Sequence, residues 1–186
     1  MRLSKMELPS AVSVGGKFYA VRTGHPWWFR FAEVVREKNA LLSDLDFIYD
    51  GEVPADRKEG FKALCAFYQP ETELPRKSGG SGGDTVLDYT ADAELIFAGI
   101  LEQYGVDLFE REVHWHKVLA MISGLHSTRL NEIIGYRLYR KPAQGESYER
   151  NMERLKRMWR IESEEEREEA AKAAEREREF FAKLRK

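Results

Sequence analysis

Hydrophobic residues near the start of the chain alternate with polar ones, and this pattern predicts a β-hairpin. Residues 11–14 and 17–22 favour extended structure, because branched and aromatic side chains recur there at every second position: Val12, Val14, Tyr19 and Val21. Gly15 and Gly16 stand between the two segments, and glycines can adopt the positive φ angles of a two-residue turn. Since an isolated hairpin is marginally stable in water, we expect it to pack against helices.

After the hairpin, hydrophobic residues recur at intervals of three and four, which predicts a succession of amphipathic helices. Pro26 is suited to the first turn of a helix that we expect to end near Leu42. Ser43 and Asp44 can cap a short helical segment after it. Pro54 then begins another helix, whose apolar residues are Phe61, Leu64, Cys65 and Tyr68.

The segment over residues 92–115 has the pattern of a helix, a stop and a second helix start. One face of the first helix is apolar and consists of Ala93, Phe97, Ile100 and Tyr104. Gly105 follows where a left-handed C-terminal residue is needed, and Asp107 with Glu110 has the spacing of a capping box that opens the next helix. We expect the hydrophobic core to include Phe97, Tyr104, Trp115 and Leu119.

Further helices and a change of composition complete the predicted architecture. Gly124 ends one helix, Ser127 caps the next, and Pro142 closes it. Another apolar stripe consists of Tyr148, Met152, Leu155 and Trp159. Residues 70–84 contain the run Ser-Gly-Gly-Ser-Gly-Gly, which is typical of a flexible linker. We therefore predict a mainly α-helical bundle with an N-terminal β-hairpin over residues 1–160, with the linker inside it.

Residues 161–186 form a separate charged tail, which we predict to be a long helix. Ser163 and Glu166 have the spacing of a capping box, and Glu and Ala residues with high helix propensity follow them. The tail is too polar to be held by a core, yet an apolar group lies near its end: Phe180, Phe181 and Leu184. We interpret these three residues as a partner-binding tip that docks on another helix, and a solvated tail is the alternative.

Charge and cysteine content exclude several kinds of protein. The sequence contains 30 Lys and Arg and 32 Asp and Glu, a formal net charge of -2, so no global charge attracts it to nucleic acid or an anionic membrane. Cys65 is the single cysteine, which leaves no intrachain disulfide, and its apolar setting favours a buried thiol. No segment has the roughly 20 apolar residues of a membrane span, and we expect neither a secretion signal nor membrane insertion.

His114 and His116 are the candidates for metal binding, since imidazole is a common metal ligand. On a helix, residues two apart point about 200° apart, so the two rings could not readily bind one ion. The glycines of the linker do not follow the phosphate-binding pattern, and no nucleophile motif is present near His126. We therefore expect no metal, no cofactor and no enzymatic activity.

A basic run between residues 129 and 160 is interleaved with aromatic residues, a combination typical of nucleic-acid binding. Its basic residues are Arg129, Arg137, Arg140, Lys141, Arg150, Arg154, Lys156, Arg157 and Arg160. Each also suits the polar side of an amphipathic helix with acidic neighbours, and we favour this interpretation. A nucleic-acid-binding regulator would need the run to form one exposed face.

The sequence resembles the phage protein family called gene product fifteen, found in tailed phages and prophages of Gram-positive bacteria. The N-terminal part of the resemblance consists of Pro9, Val12, Val14, Gly16, Lys17, Tyr19, Val21, Trp27, Trp28 and Phe31. The central part consists of Asp92, Ala93, Ile96, Phe97, Gln103, Tyr104, Gly105, Asp107, Leu108, His114 and Trp115. The later part consists of Leu119, Gly124, Leu125, Ile133, Tyr136, Arg137, Tyr148, Met152, Lys156 and Arg157. The linker and the charged tail fall outside the resemblance, and His116 stands where the family has a second aromatic residue.

The resemblance implies a role in tail morphogenesis, because genes of this family typically lie between those of the major tail protein and the tape measure protein. That is the position of tail assembly chaperones, which bind the helical tape measure, recruit tail-tube subunits and are absent from the virion. The implied protein is a non-enzymatic chaperone that acts in the host bacterial cytoplasm during phage assembly. Its implied partners are the tape measure and major tail proteins, with a second copy of the chain as a further candidate. A minor structural tail or connector protein retained in the virion is the alternative.

Overall fold

The computed structural model describes residues 7–69, 86–140 and 145–184, and these residues are mainly helical. Two strands come first, β1 (Ala11–Val14) and β2 (Lys17–Ala20). The helices are α1 (His25–Arg36), a 3-10 helix (Leu42–Ile48), α2 (Arg57–Tyr68), α3 (Ala93–Tyr104), α4 (Trp115–Gly124), α5 (Arg129–Leu138), α6 (Glu146–Met158) and α7 (Glu164–Leu184). The predicted fold class, mainly α with an N-terminal hairpin and a long C-terminal helix, is confirmed. The predicted linker over residues 70–84 lies outside the described residues.

The chain forms two compact units. The first consists of Met1–Gly82 and Leu87–Glu132, and the second of Gly83–Val86 and Ile133–Lys186, so that the division falls within α5. The predicted boundary near residue 160 separates a domain from a charged tail that we expect it not to need for folding. This boundary stays a prediction. No helix in the described ranges is long and apolar enough to cross a membrane.

The hairpin of the first unit has the predicted turn. β1 and β2 pair antiparallel, with Val12 opposite Tyr19 and Val14 opposite Lys17. Gly15 and the next glycine have φ angles of 58° and 81°, which residues with a Cβ adopt at a cost. The two valines of β1 are buried, and β1 packs against α2. The hairpin is therefore held by a helix, as the sequence predicted.

Aromatic side chains form much of the core of the first unit. Trp28 on α1 is fully buried, and its ring centroid lies 4.5 Å from that of Phe67 and 5.4 Å from that of Phe31. On α2, Tyr68 stacks on the ring of Trp115 with a centroid distance of 5.2 Å and an interplanar angle of 6°. These offset and stacked contacts join α1, α2 and the start of α4.

The predicted end of α1 near Leu42 is wrong. The helix ends at Arg36, because Glu37 adopts an extended conformation, and Leu42 begins the separate 3-10 helix. Neither Ser43 nor Asp44 precedes the short helix as predicted, because Leu41 is its N-cap residue. The carboxylate of Asp44 still closes the first turn, since it accepts the N–H of Leu41 at 2.8 Å.

The predicted start of α2 at Pro54 is also wrong, because a side-chain cap begins the helix three residues later. The Asp56 carboxylate accepts the N–H groups of Lys58 and Glu59 at 3.1 and 3.0 Å. These donors have no partner within the helix, so the aspartate satisfies them and α2 begins at Arg57.

Asp88 and Asp92 fix the segment that precedes α3. Asp88 accepts the N–H groups of Thr90 and Ala91 through Oδ1 at 2.9 and 2.7 Å, and its carboxylate forms a two-pronged ion pair with Arg36 on α1. The N–H of Asp88 in turn donates to the buried carboxylate of Asp92 at 3.0 Å. An ion pair between Asp88 and Arg36 therefore links the segment before α3 to α1. The helical pattern of the sequence did not predict this link.

The end of α3 is as predicted, and the start of α4 is not. Gly105 has a φ angle of 63° and ends α3 in the left-handed conformation. Asp107 accepts the N–H groups of Phe109 and Glu110 at 2.8 and 3.3 Å, which is the expected capping geometry. However, it closes only a single turn, and α4 begins at Trp115.

Extended pairing delays the start of α4. The N–H of His25 donates to the carbonyl of Val113 at 2.8 Å, and the N–H of Trp115 donates to the carbonyl of Thr23 at 2.7 Å. These bonds hold residues 113–115 alongside the end of the hairpin segment. A helix that started at the capping box would break them.

Thr128, and not the predicted Ser127, caps α5. The Thr128 hydroxyl lies 3.4 Å from the N–H of Asn131, and the Asn131 side-chain oxygen accepts the N–H of Thr128 at 3.1 Å. This reciprocal arrangement is a capping box in which Asn replaces Glu. Ser127 instead has a φ angle of 55° and forms the corner before the helix.

The second unit contains the end of α5 with α6 and α7. Arg137 is buried, and its guanidinium donates to the carbonyls of Trp159 at 2.7 Å and Val86 at 3.0 Å. Ser163 and Glu166 form the predicted capping box at the start of α7. In the described parts of α6 and α7, every side chain is exposed or half-buried.

Candidate partner-binding surface

Polar atoms at the start of α4 are used to bind backbone groups. His114 accepts the N–H of His116 through Nδ1 at 3.1 Å, and its Nε2 donates to the carbonyl of Pro9 at 2.9 Å. The Nε2 of His116 lies 2.8 Å from the carbonyl of Phe67, and the indole N–H of Trp115 donates to the carbonyl of Tyr68 at 2.8 Å. The last carbonyls of a helix lack partners within it, so these two bonds satisfy the end of α2.

The two histidines of this segment lie close together, contrary to the helical geometry that was predicted. Their ring centroids are 5.3 Å apart, because His114 precedes α4 and does not lie within it. Burial lowers the pKa of both side chains, while hydrogen bonds to backbone carbonyls oppose that change. The neutral form of each ring is therefore favoured, and each ring uses a nitrogen to bind a backbone carbonyl.

Two further candidates for chemistry were a metal site and the thiol of Cys65. Among the described residues, no group of three or more His, Cys, Asp or Glu side chains could hold a metal ion. Cys65, which we expected to be buried, is half-buried, and burial raises the pKa of its thiol, so the reactive thiolate is disfavoured.

The predicted apolar face of α3 is only partly in the core. Trp115 is fully buried as expected, but Tyr104 remains 40% exposed, and Phe97 and Leu119 are half-buried. Ile100 of the predicted face is buried, and the rest of the buried side of α3 consists of Ile96 and Gly99. A Cβ on Gly99 would lie 3.2 Å from a methyl group of Leu125, so α3 approaches its neighbours through a glycine. The sequence pattern missed this because glycine is not counted as hydrophobic.

An exposed apolar surface lies beside that buried face. Phe97, Leu101 and Tyr104 follow one another at spacings of four and three along α3, and the last two are each 40% exposed. Phe109 is 85% exposed, and its ring centroid lies 4.6 Å from that of Phe97 in an edge-to-face contact. We name these four residues the α3 ridge.

The α3 ridge is held in a fixed position. The hydroxyl of Tyr104 donates to the carbonyl of Met121 at 3.2 Å, and Gln103 donates to the carbonyl of Gly124 at 3.0 Å. The turn that carries Phe109 is closed by the carboxylate of Asp107. The ridge therefore has little conformational freedom to lose when a partner binds.

The sequence did not identify the α3 ridge as a surface. Phe97 and Tyr104 were assigned to the core, and Phe109 was not singled out. Phe109 stands two residues after Asp107 in a capping turn, and side chains in turns face solvent more often than the core. This position was the sequence signal that could have indicated its exposure.

The predicted partner-binding tip at Phe180, Phe181 and Leu184 is not tested. The backbone of α7 extends to Leu184, but the side chains of all three residues lie outside the described part of the structure. The tip stays a prediction.

Part of the basic run is used within the fold. Arg137 is buried and binds two backbone carbonyls, while Arg129 pairs with Glu132 and Arg160 pairs with Glu166. Lys141 lies outside the described residues. Three arginines of the run thus have structural partners, as expected for the polar sides of helices.

Comparison with known protein families gives a match. The profile of a family described as Bacteriophage Gp15 protein matches residues 35–161. That range includes the whole α3 ridge and ends before α7. No curated protein and no solved structure matches the chain.

Proposed function

We propose, from the premise that this chain belongs to the Bacteriophage Gp15 protein family, that it is a non-enzymatic tail assembly chaperone. A member of this family is a phage-related protein. The match over residues 35–161 is the observation that supports the proposal. In this proposal the chain acts in the host cytoplasm during assembly, with the tape measure and major tail proteins as its partners. Such a protein needs a surface for another chain and no catalytic centre.

Two features of the first unit support a binding role. Its histidines bind backbone carbonyls, so they serve packing, while the α3 ridge presents apolar side chains to solvent in a fixed arrangement. Exposed and ordered apolar groups of this kind are typical of sites that contact other proteins. The ridge also lies within the range that matches the family.

A minor structural tail or connector protein is the second candidate, since an exposed apolar surface serves a permanent contact equally well. A nucleic-acid-binding regulator is disfavoured, because Arg137 is buried and Arg129 and Arg160 pair with carboxylates. Phosphate contacts require basic groups that are free to release counterions.

Mass spectrometry of purified particles and of the infected-cell lysate separates the chaperone from the structural protein. We expect the chain in the lysate and not in the particles, and we expect tagged chain to co-purify with the tape measure protein when the two are co-expressed. Stoichiometric presence in the particles would favour the structural alternative. Failure to co-purify with either the tape measure or the major tail protein would contradict the proposal.

A further inference from the structure

The α3 ridge has a charge pattern that restricts what it can bind. Residues 93–112 contain five acidic side chains and a single basic one, Arg111. Glu94 and Glu102 are exposed on α3, and Glu110 is exposed in the turn after Phe109. None of these three carboxylates forms an ion pair with another described residue.

Glu94 lies beside the ridge on α3. It stands three positions before Phe97 and seven before Leu101, so helical periodicity places it on their side of the helix. Glu110 is exposed and directly follows Phe109 in the turn. Glu102 is also exposed, but it lies about 100° around the helix from Leu101, on the flank away from Tyr104. The apolar strip is therefore accompanied by acidic side chains at Glu94 and Glu110.

We propose that the α3 ridge binds an amphipathic helix whose apolar stripe is bordered by Lys or Arg. An apolar stripe on a helix fits a ridge with helical spacing, and basic borders complement Glu94, Glu110 and the net negative charge of this segment. The inference rests on the proposed function, since it assigns a surface and a chemical class of segment to the partner. In that setting the segment belongs to the helical tape measure protein.

A second copy of the chain fits the same surface poorly. In a symmetric dimer the same patch faces itself, so the acidic side chains of one copy, including Glu94 and Glu110, would face the acidic side chains of the other. Like charges placed opposite one another in an interface disfavour association. The acidic side chains therefore select a partner of opposite sign.

Two synthetic helical peptides of about 18 residues test the charge and shape requirements together. Both have the same leucine stripe, and one has Lys and the other Glu at the bordering positions. Binding of each labelled peptide to the full chain is measured by fluorescence anisotropy. We expect the Lys peptide to bind more tightly than the Glu peptide, with an affinity that falls as salt is raised.

Substitution of the ridge shows whether the peptide binds there. We expect Phe109→Ser to weaken binding of the Lys peptide by at least about tenfold. Phe18→Ser is the matched control, because Phe18 is 75% exposed on the hairpin of the same unit and lies outside the ridge. Equal weakening by both variants, or no effect of Phe109→Ser, would overturn the assignment.

Charge reversal gives an independent result at exposed positions whose side chains form no ion pair with a described residue. The double variant Glu94→Lys, Glu110→Lys should lose its preference for the Lys peptide and bind the Glu peptide more tightly than the unmodified chain does. Circular dichroism checks that each variant keeps its helical content. An unchanged preference would show that these acidic side chains play no part, and the proposal would fail.

The same variants distinguish failure of the surface from failure of the proposed function. If the tape measure protein co-purifies equally with the unmodified chain and with Phe109→Ser, the chaperone proposal stands and the ridge is not its contact. If the Lys peptide binds through Phe109 but the tape measure protein does not co-purify, the surface stands and the proposed function fails. Self-association that Phe109→Ser abolishes would show a second copy as the occupant and would overturn the inference.

Discussion

Trp115 has two structural roles in the first unit. Its ring is fully buried and stacks on Tyr68, and its indole N–H donates to the carbonyl at the end of α2. The neighbouring His116 binds the preceding carbonyl of the same helix. The His-Trp-His sequence therefore joins the start of α4 to the end of α2, which is a packing role.

Substitution of Trp115 separates these two roles. Trp115→Ala should lower the free energy of unfolding by about 3–5 kcal/mol through loss of buried aromatic volume. Trp115→Phe keeps most of the ring but leaves the Tyr68 carbonyl without its donor, and should cost about 1–3 kcal/mol. Urea denaturation followed by circular dichroism measures both. Phe18→Ala, at an exposed position, should change stability by less than about 0.5 kcal/mol, and a similar loss in all three variants would contradict this account.

One buried and two half-buried histidines predict how stability depends on pH. Burial lowers the pKa of His25, His114 and His116 below the ordinary value of 6.5. As pH falls through 6.5, the unfolded chain therefore binds protons that the folded chain does not, so the stability present above 6.5 is progressively lost. Urea midpoints should decrease between about pH 8 and about pH 5.5. His116→Gln should make this decrease smaller, and an unchanged slope would contradict the assignment.

At the scale of the element, caps determine where each helix begins and ends. The sequence predicted α3 and its end at Gly105, because a glycine with positive φ is a local requirement. It misplaced the starts of α2 and α5, where Asp56 and Thr128 are the caps. Several residues near each start can act as caps, and only their backbone conformation selects one.

Two glycine substitutions should have opposite effects on stability. Gly105→Ala forces a residue with a Cβ into the left-handed conformation at a φ angle of 63°, and should cost about 1–2 kcal/mol. Gly135→Ala lies inside α5, where an added Cβ meets no atom within 4 Å, and should stabilise the protein by about 0.5–1 kcal/mol. Thermal and urea denaturation measure both changes. Effects of the same sign would contradict the backbone conformations described for Gly105 and Gly135.

At the scale of the whole molecule, the two ends of the chain differ in how they are held. The N-terminal hairpin contributes buried valines to the first unit, whereas the described side chains of α7 are exposed or half-buried. Its first turn is held by the Ser163–Glu166 capping box and an ion pair between Arg160 and Glu166. Local interactions of this kind stabilise a helix by tenths of a kcal/mol each and do not anchor it to a core.

Truncation after Ile161 tests whether α7 contributes to folding or to binding. The remaining chain should unfold at nearly the same urea midpoint, because the described part of α7 contains no fully buried side chain. If the predicted tip at Phe180, Phe181 and Leu184 is an interface, co-purification with the tape measure protein should fall. A large drop in the midpoint would show that α7 belongs to the folded core. Identical co-purification would remove the tip as a binding site.

The sequence determined those features that depend on residues close together in the chain. The turn at Gly15 and Gly16, the end of α3 at Gly105 and the capping box of Ser163 with Glu166 are all as predicted. Each requires a particular backbone conformation or a hydrogen bond across three residues, and the residue types themselves supply it. The mainly helical class follows for the same reason, since hydrophobic spacing is a local signal.

Tertiary structure decided which apolar residues are buried and which are available to a partner. The buried face of α3 passes through Gly99, because Leu125 approaches it closely, and this turns Leu101 and Tyr104 toward solvent. The late start of α4 likewise depends on backbone pairing with residues about 90 positions earlier in the chain, such as the bond between His25 and Val113. The spacing of residues along one helix contains no information about such distant neighbours. The α3 ridge could therefore be identified only from the folded structure, in which α3 packs against these distant residues.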